Sequence, residues 1–167
     1  ADNLYASSYI QGPTFMSDTT YTASGNYQII QFDSSSAFRR YVSKTRGIVV
    51  DAIDNDVYLA YLQTVEKLDT AFNTIWSQTA SVNDLTFSNY GGQGSHGSIK
   101  VGNNGHLVVS GYENGTAPTV TFDAVTLTFG PGIDNELCVI KMDTSGNALW
   151  ATTLDSSTTN DELYPKI

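Results

Sequence analysis

Basic residues are scarce in this chain: 8 Lys and Arg stand against 17 Asp and Glu in 167 residues, a formal charge of −9. Nucleic acid phosphates need a basic face, so the charge argues against a nucleic-acid partner. An anionic membrane surface is disfavoured for the same reason. There is a single cysteine, Cys138, in the run Glu136-Leu137-Cys138-Val139-Ile140, which reads as a small buried strand residue. One cysteine excludes a disulfide within the chain and leaves the redox compartment open. No apolar run approaches the length of a membrane span. Helix-period patterning is nearly absent. The chain opens on Ala1-Asp2 without Met, as a processed, exported protein or a piece of a longer one would.

Apolar residues at 40% are enough for a globular core, and the 10 Tyr, with many Thr, Val and Ser, are a β-rich composition. A short motif recurs. Lys67-Leu68-Asp69-Thr70-Ala71-Phe72-Asn73-Thr74-Ile75-Trp76 aligns without a gap to Lys141-Met142-Asp143-Thr144-Ser145-Gly146-Asn147-Ala148-Leu149-Trp150. Gln31-Phe32-Asp33-Ser34-Ser35-Ser36-Ala37-Phe38-Arg39-Arg40 is a worn third copy. In each copy an apolar residue precedes the Asp, and a strand-like run resumes seven residues after it. Repeats of this kind decide architecture before local propensity does.

Around the motif, short apolar runs bounded by Gly, Asn, Asp and Ser line up as four strand types. Type A is Gly47–Asp51, Gly97–Val101 and the fragment Pro165-Lys166-Ile167. Type B is Asn3–Ser7, Asp56–Ala60 and His106–Ser110; type C is Tyr27–Phe32, Val65–Leu68 and Leu137–Met142. Type D begins at Arg40, Trp76 and Trp150. Asp54-Asn55-Asp56 and Asn103-Asn104-Gly105 suit tight A-to-B hairpins, and each Asp after strand C can bond its own turn backbone. The pattern predicts an all-β fold of propeller-type blades, each of four antiparallel strands. It predicts one domain over 1–167, with blade-like units at 1–46, 47–96 and 97–167. The order B-C-D, A-B-C-D, A-B-C-D, A starts and stops inside a blade. Three blades cannot close a ring. Self-association with a split A/B blade at the termini, or the remainder of a longer propeller, is therefore expected.

Asp143-Thr144-Ser145-Gly146-Asn147-Ala148-Leu149-Trp150 and Gly105-His106-Leu107-Val108-Val109-Ser110-Gly111-Tyr112 resemble the bacterial β-propeller repeats typified by D-x-x-G-N-x-x-W and G-N-x-Y-V-x-G. Thr119–Thr128 also resembles the B-to-C insert of that family. The resemblance implies an exported or cell-surface scaffold with no fixed chemistry. Departures are visible. Arg40 replaces the Trp of the first unit, and Ser36 and Asn73 stand in neighbouring turn positions where Gly is usual. Leu4 to Asp33 spans 29 residues and Leu107 to Asp143 spans 36, but Val57 to Asp69 spans only 12. Tyr61-Leu62-Gln63-Thr64 must then turn without Gly, Pro, Asn or Asp.

Candidate chemistry is sparse. Asp33, Asp69, Asp143, Trp76 and Trp150 read as structural motif residues, the Trp residues packing between blades. Trp76 and Trp150 as ligand-stacking aromatics are the alternative. The motif also loosely resembles the Trp-docking motif of quinoprotein propellers, which spaces Asp and Trp one residue further apart. Asp51, Asp54 and Asp56 crowd the A-to-B turn and are a weak Ca²⁺ candidate, since oxygen ligands at this density suit that ion. They do not match the D-x-[DN]-x-[DN]-G loop. His96 and His106 have no metal-ligand spacing. No G-x-S-x-G elbow is present, and the Gly-rich run Tyr90–Gly97 lacks the Lys-Ser/Thr of a phosphate cradle. Asn114-Gly115-Thr116 is a glycosylation sequon. No catalysis and no cofactor are expected. The expected role is a scaffold, exported or displayed on a cell envelope or virion, that binds a glycan or protein partner or builds a surface assembly. A virion or appendage module and a fragment of a larger propeller enzyme are the alternatives.

Overall fold

The fold, taken from a computed structural model, is described over residues 3–16, 19–44, 49–53, 56–81, 85–87, 98–102, 104–113, 119–129 and 136–154. Side chains are described there except at 9–16, 19–26, 44, 49–50 and 98. Every regular element among these residues is a strand. Sheet 1 has the order β1(Leu4–Met16), β2(Thr19–Phe32), β3(Phe38–Lys44). Sheet 2 has the order β4(Val49–Ile53), β5(Asp56–Tyr61), β6(Thr64–Leu68), β7(Thr74–Thr79). Sheet 3 pairs β9(Ser98–Gly102), β10(His106–Glu113), β13(Glu136–Asp143) and β14(Ala148–Leu154) in sequence, and β8(Leu85–Thr86) also pairs with β10. A separate hairpin joins β11(Thr119–Phe122) to β12(Val125–Thr128). All pairings are antiparallel. Strand types A to D thus lie side by side in sheets 2 and 3, and B to D in sheet 1. The C-terminal fragment Pro165-Lys166-Ile167 lies outside the described residues.

The three sheets stack face to face. Strand side chains alternate between faces, and β5 shows why that matters here. Its four central residues, Val57, Tyr58, Leu59 and Ala60, are all buried. Val57 and Leu59 pack with Ile29, Leu68, Tyr5, Tyr27 and Val42, which is the junction with sheet 1. Tyr58 and Ala60 pack with Val101, Leu107, Val109, Cys138, Ile140 and Met142, which is the junction with sheet 3. Burying a Val or Leu side chain contributes about 1.5–3 kcal/mol. Sheet 2 draws on that at both faces, so its central strand is a continuous apolar run rather than an alternating one.

Sheets 2 and 3 are joined at both edges. At one edge β4 lies close to both β1 and β9. The Asp51 carboxylate ties that edge, accepting from the Val101 amide at 2.8 Å and pairing with Lys100 Nζ at 3.1 Å. At the opposite edge the β11–β12 hairpin stands between sheets 2 and 3. The Ser81 amide, just past β7, donates to the Thr121 carbonyl at 2.8 Å. On the other side, Thr153 Oγ1 donates to the Thr128 carbonyl at 3.1 Å, and the Ala148 amide donates to Asp123 Oδ2 at 2.8 Å. Val120, Phe122 and Leu127 of the hairpin are buried, and Phe122 meets Phe87 edge to face at 5.6 Å.

Candidate functional site

The repeated Asp turn brings together a dense set of polar groups among the described residues. It is built three times in the same way. The amide of residue 33, 69 or 143 donates to the carbonyl of 37, 73 or 147, and the amide of 36, 72 or 146 donates back to the Asp carbonyl. Each Asp Oδ1 then accepts from two further amides: Ser35 and Ala37, Ala71 and Asn73, Ser145 and Asn147, at 2.8–3.0 Å. The second carboxylate oxygen accepts from Asn73 Nδ2 at 2.9 Å and from Asn147 Nδ2 at 2.8 Å. In the first turn Ala37 stands where the Asn would be, and Arg39 pairs with that oxygen instead. Hydrogen bonds to a carboxylate favour its charged form. The Asn73 side chain accordingly holds Asp69 below the usual carboxylate range, the Asn147 side chain does so for Asp143, and the Ser35 hydroxyl does so for Asp33. These carboxylates are spent on their own turns and have no proton to move near neutral pH.

The fourth residue of each turn has a positive φ: Ser36 at 64°, Phe72 at 67° and Gly146 at 95°. Phe72, not Asn73, therefore occupies the glycine position of the second turn. Asn73 corresponds to Asn147, and its amide bond to the Asp is the reason it is there.

The turns are also the contact points between sheets. Tyr58, Lys67 and Trp76 form a cross-strand row on the face of sheet 2 that meets sheet 3. Trp76 lies over Gly146, and its Nε1 donates to the Thr144 carbonyl at 3.0 Å. Lys67 Nζ reaches the same carbonyl at 3.4 Å and pairs with Asp56 at 2.7 Å. Burial works to lower the Lys67 pKa, but Asp56 and the Tyr58 hydroxyl together hold it above its ordinary value. At the junction of sheets 1 and 2 the corresponding row is Tyr5, Gln31 and Arg40. There Phe72 meets Tyr5 edge to face at 6.3 Å. Trp150 heads the row on the outward face of sheet 3 and is 45% exposed, so it is not packed as Trp76 is.

Of the Ca²⁺ candidates, Asp51 and Asp56 are engaged with Lys100 and Lys67, and Asp54 lies outside the described residues. Among the described residues no three acidic, His or Cys side chains group as a metal site. His96 and Asn114 are also outside them. His106 opens β10, and its Nδ1 is buried with no hydrogen-bond partner among the described residues. Cys138 is buried on the face toward sheet 2, and burial pushes its thiol up to about 12.

Two carboxylates escaped sequence reasoning. Glu113 and Glu136 sit directly opposite each other in the β10–β13 register and are 3% and 7% exposed. Both have interaction partners. Their positions at two strand ends more than twenty residues apart gave no spacing signal. Glu66 is also buried, with its carboxylate accepting from the Tyr61 hydroxyl at 3.0 Å and from Thr74 Oγ1. Burial, then the Glu66 charge, pushes Tyr61 up to about 12.

A scan against protein-family models finds no match to this chain, and a search of curated proteins returns none.

Proposed function

We propose that the chain is a non-catalytic scaffold of propeller-type blades, exported or surface-displayed, that binds a glycan or protein partner or builds a surface assembly. The stacking of the sheets carries this reading. Four-stranded meanders are stacked with their first strands drawn together at the β4–β9 edge and a hairpin holding the last strands apart. Sheets joined closely at their first strands and spaced by a hairpin at their last would fan around an axis on repetition, which is how blades are disposed in a propeller. The consumption of Asp33, Asp69, Asp143 and Trp76 in turn and junction bonds supports a scaffold role for the motif. The acidic surface favours solubility and display over nucleic-acid binding.

The test has two arms. Labelled protein is applied to a glycan array and to intact source cells or particles with cross-linking. The same preparation is offered chromogenic esters, glycosides and phosphoesters. Saturable retention without turnover is the expected result. Turnover of any substrate, or retention by neither glycan nor cross-linked protein, would overturn the reading. Negative-stain images of any assembled particle should show radially arranged blades.

A further inference from the structure

Each internal junction of the stack carries one large side chain between strand D and the facing turn, and the two junctions take it from opposite sides. Between sheets 2 and 3 it comes from the strand, as Trp76, and the turn supplies Gly146. A Cβ at Gly146 would lie 2.8 Å from Trp76 Cδ2 and 3.1 Å from Cε2 and Cε3, closer than such atoms approach. Between sheets 1 and 2 it comes from the turn, as Phe72, and the strand supplies Arg40 at the Trp position. Arg40 lies near enough to Asp69 to help hold that carboxylate ionised. Trp faces Gly, and Arg faces Phe.

The outward face of sheet 3 has the first form. Lys141 pairs with Trp150 as Lys67 pairs with Trp76. Trp150 is 45% exposed, and Leu154 on the same face is 51% exposed. The aromatic and the cation are thus arranged as on sheet 2, where they are covered.

We propose that this face docks a further four-stranded unit whose Asp turn carries glycine at the positive-φ position. The Trp150 indole lies over that glycine. Trp150 Nε1 and Lys141 Nζ donate to the carbonyl one residue after the turn Asp, as Trp76 and Lys67 do to Thr144. The inference rests on the stacked-blade reading above but makes no use of the ligand class. It also names what the face rejects. The free turn of this chain, Asp33–Ala37, carries Ser36. Its Cβ falls where the indole must lie, so a second copy of the same chain is a poor occupant.

Sedimentation velocity on the full chain tests this with Ser36→Gly, which converts the free turn to the accepting form. Glycine takes a positive φ without strain, so the variant keeps its turn. The expected result is self-association of Ser36→Gly at least about tenfold tighter than wild type. Adding Trp150→Ala to Ser36→Gly should remove that gain, and Trp150→Tyr should retain part of it. Acrylamide quenching of the exposed Trp should fall as the Ser36→Gly assembly forms. Wild type associating as tightly as Ser36→Gly, with both losing that association on Trp150→Ala, would make a second copy the occupant and overturn the glycine requirement. No association of Ser36→Gly, or association that survives Trp150→Ala, would overturn the assignment of the face. Failure of the blade reading would show separately, as particles without radial sheets.

Discussion

Replacing Gly146 by Ala isolates the contact between successive sheets. Two penalties are expected. Gly146 has φ of 95°, and forcing an L-residue into left-handed backbone costs about 1–2 kcal/mol. The added Cβ also meets the Trp76 ring at 2.8 Å, and overpacking of that kind costs roughly 1–3 kcal/mol. The sum is about 2–5 kcal/mol. Gly105→Ala is the control, because Gly105 has a φ of 73° but nothing within 4 Å of a Cβ. It should lose only the backbone term, about 1–2 kcal/mol. Urea unfolding followed by far-ultraviolet circular dichroism measures both. The double variant Gly146→Ala, Trp76→Ala should cost less than the sum of its parts, since removing the ring removes the clash. Equal losses for the two glycine variants, or strict additivity in the double variant, would refute the contact.

Trp76→Ala should cost about 3–5 kcal/mol by leaving a cavity beside Gly146 and removing the shorter of two hydrogen bonds to the Thr144 carbonyl, whereas half-exposed Trp150 should cost no more than about 1 kcal/mol; the reverse order in thermal melts would overturn the assignment of faces. Asp33, Asp69 and Asp143 all have folded pKa values below the ordinary aspartate value of about 3.9. Their stabilisation is therefore complete above that value and is lost as pH falls through the folded pKa. Melting temperature should be insensitive to these groups from pH 7 to about 5 and fall below about 4, and Asp143→Asn should flatten the acid limb. Cys138, with its thiol pushed up to about 12, should react with a thiol reagent only on unfolding. Modification of the native protein at pH 8 within minutes would show that its face of sheet 3 opens.

Sheet order and strand typing were legible because the apolar runs repeat and the Asp turns carry their own signature. The Tyr61–Thr64 connection was not. It is a two-residue hairpin in which Leu62 takes a φ of 47°, and the Leu62 and Gln63 carbonyls accept from the Phe87 and Ala80 amides. Tertiary bonds thus do what Gly or Asn would do in an autonomous turn. The first unit hid a long ribbon. β1 and β2 pair from Leu4–Phe32 to Met16–Thr19 with a bulge at Ile10/Gln11, far beyond the part that β3 covers. Half of that hairpin pairs with no third strand among the described residues, so no core pattern was imposed on it. Phe72 was read out of place because the glycine position is defined by φ, which the sequence does not print. Which face of Trp150 is covered depends on the neighbouring sheet, and a single strand cannot show it.

Leu59 and Ala60 are consecutive residues, yet one is fastened to sheet 1 and the other to sheet 3. Neighbours in sequence here belong to different interfaces of a nearest-neighbour chain of sheets, and residues far apart in sequence share one. Substitutions at 59 and 60 should therefore add almost independently, despite sharing a peptide bond, because they have no common partner. Leu59 and Ile29, thirty residues apart, should couple strongly. The central strand works as a hinge pin between two energetically separate contacts, so loosening one need not be felt at the other.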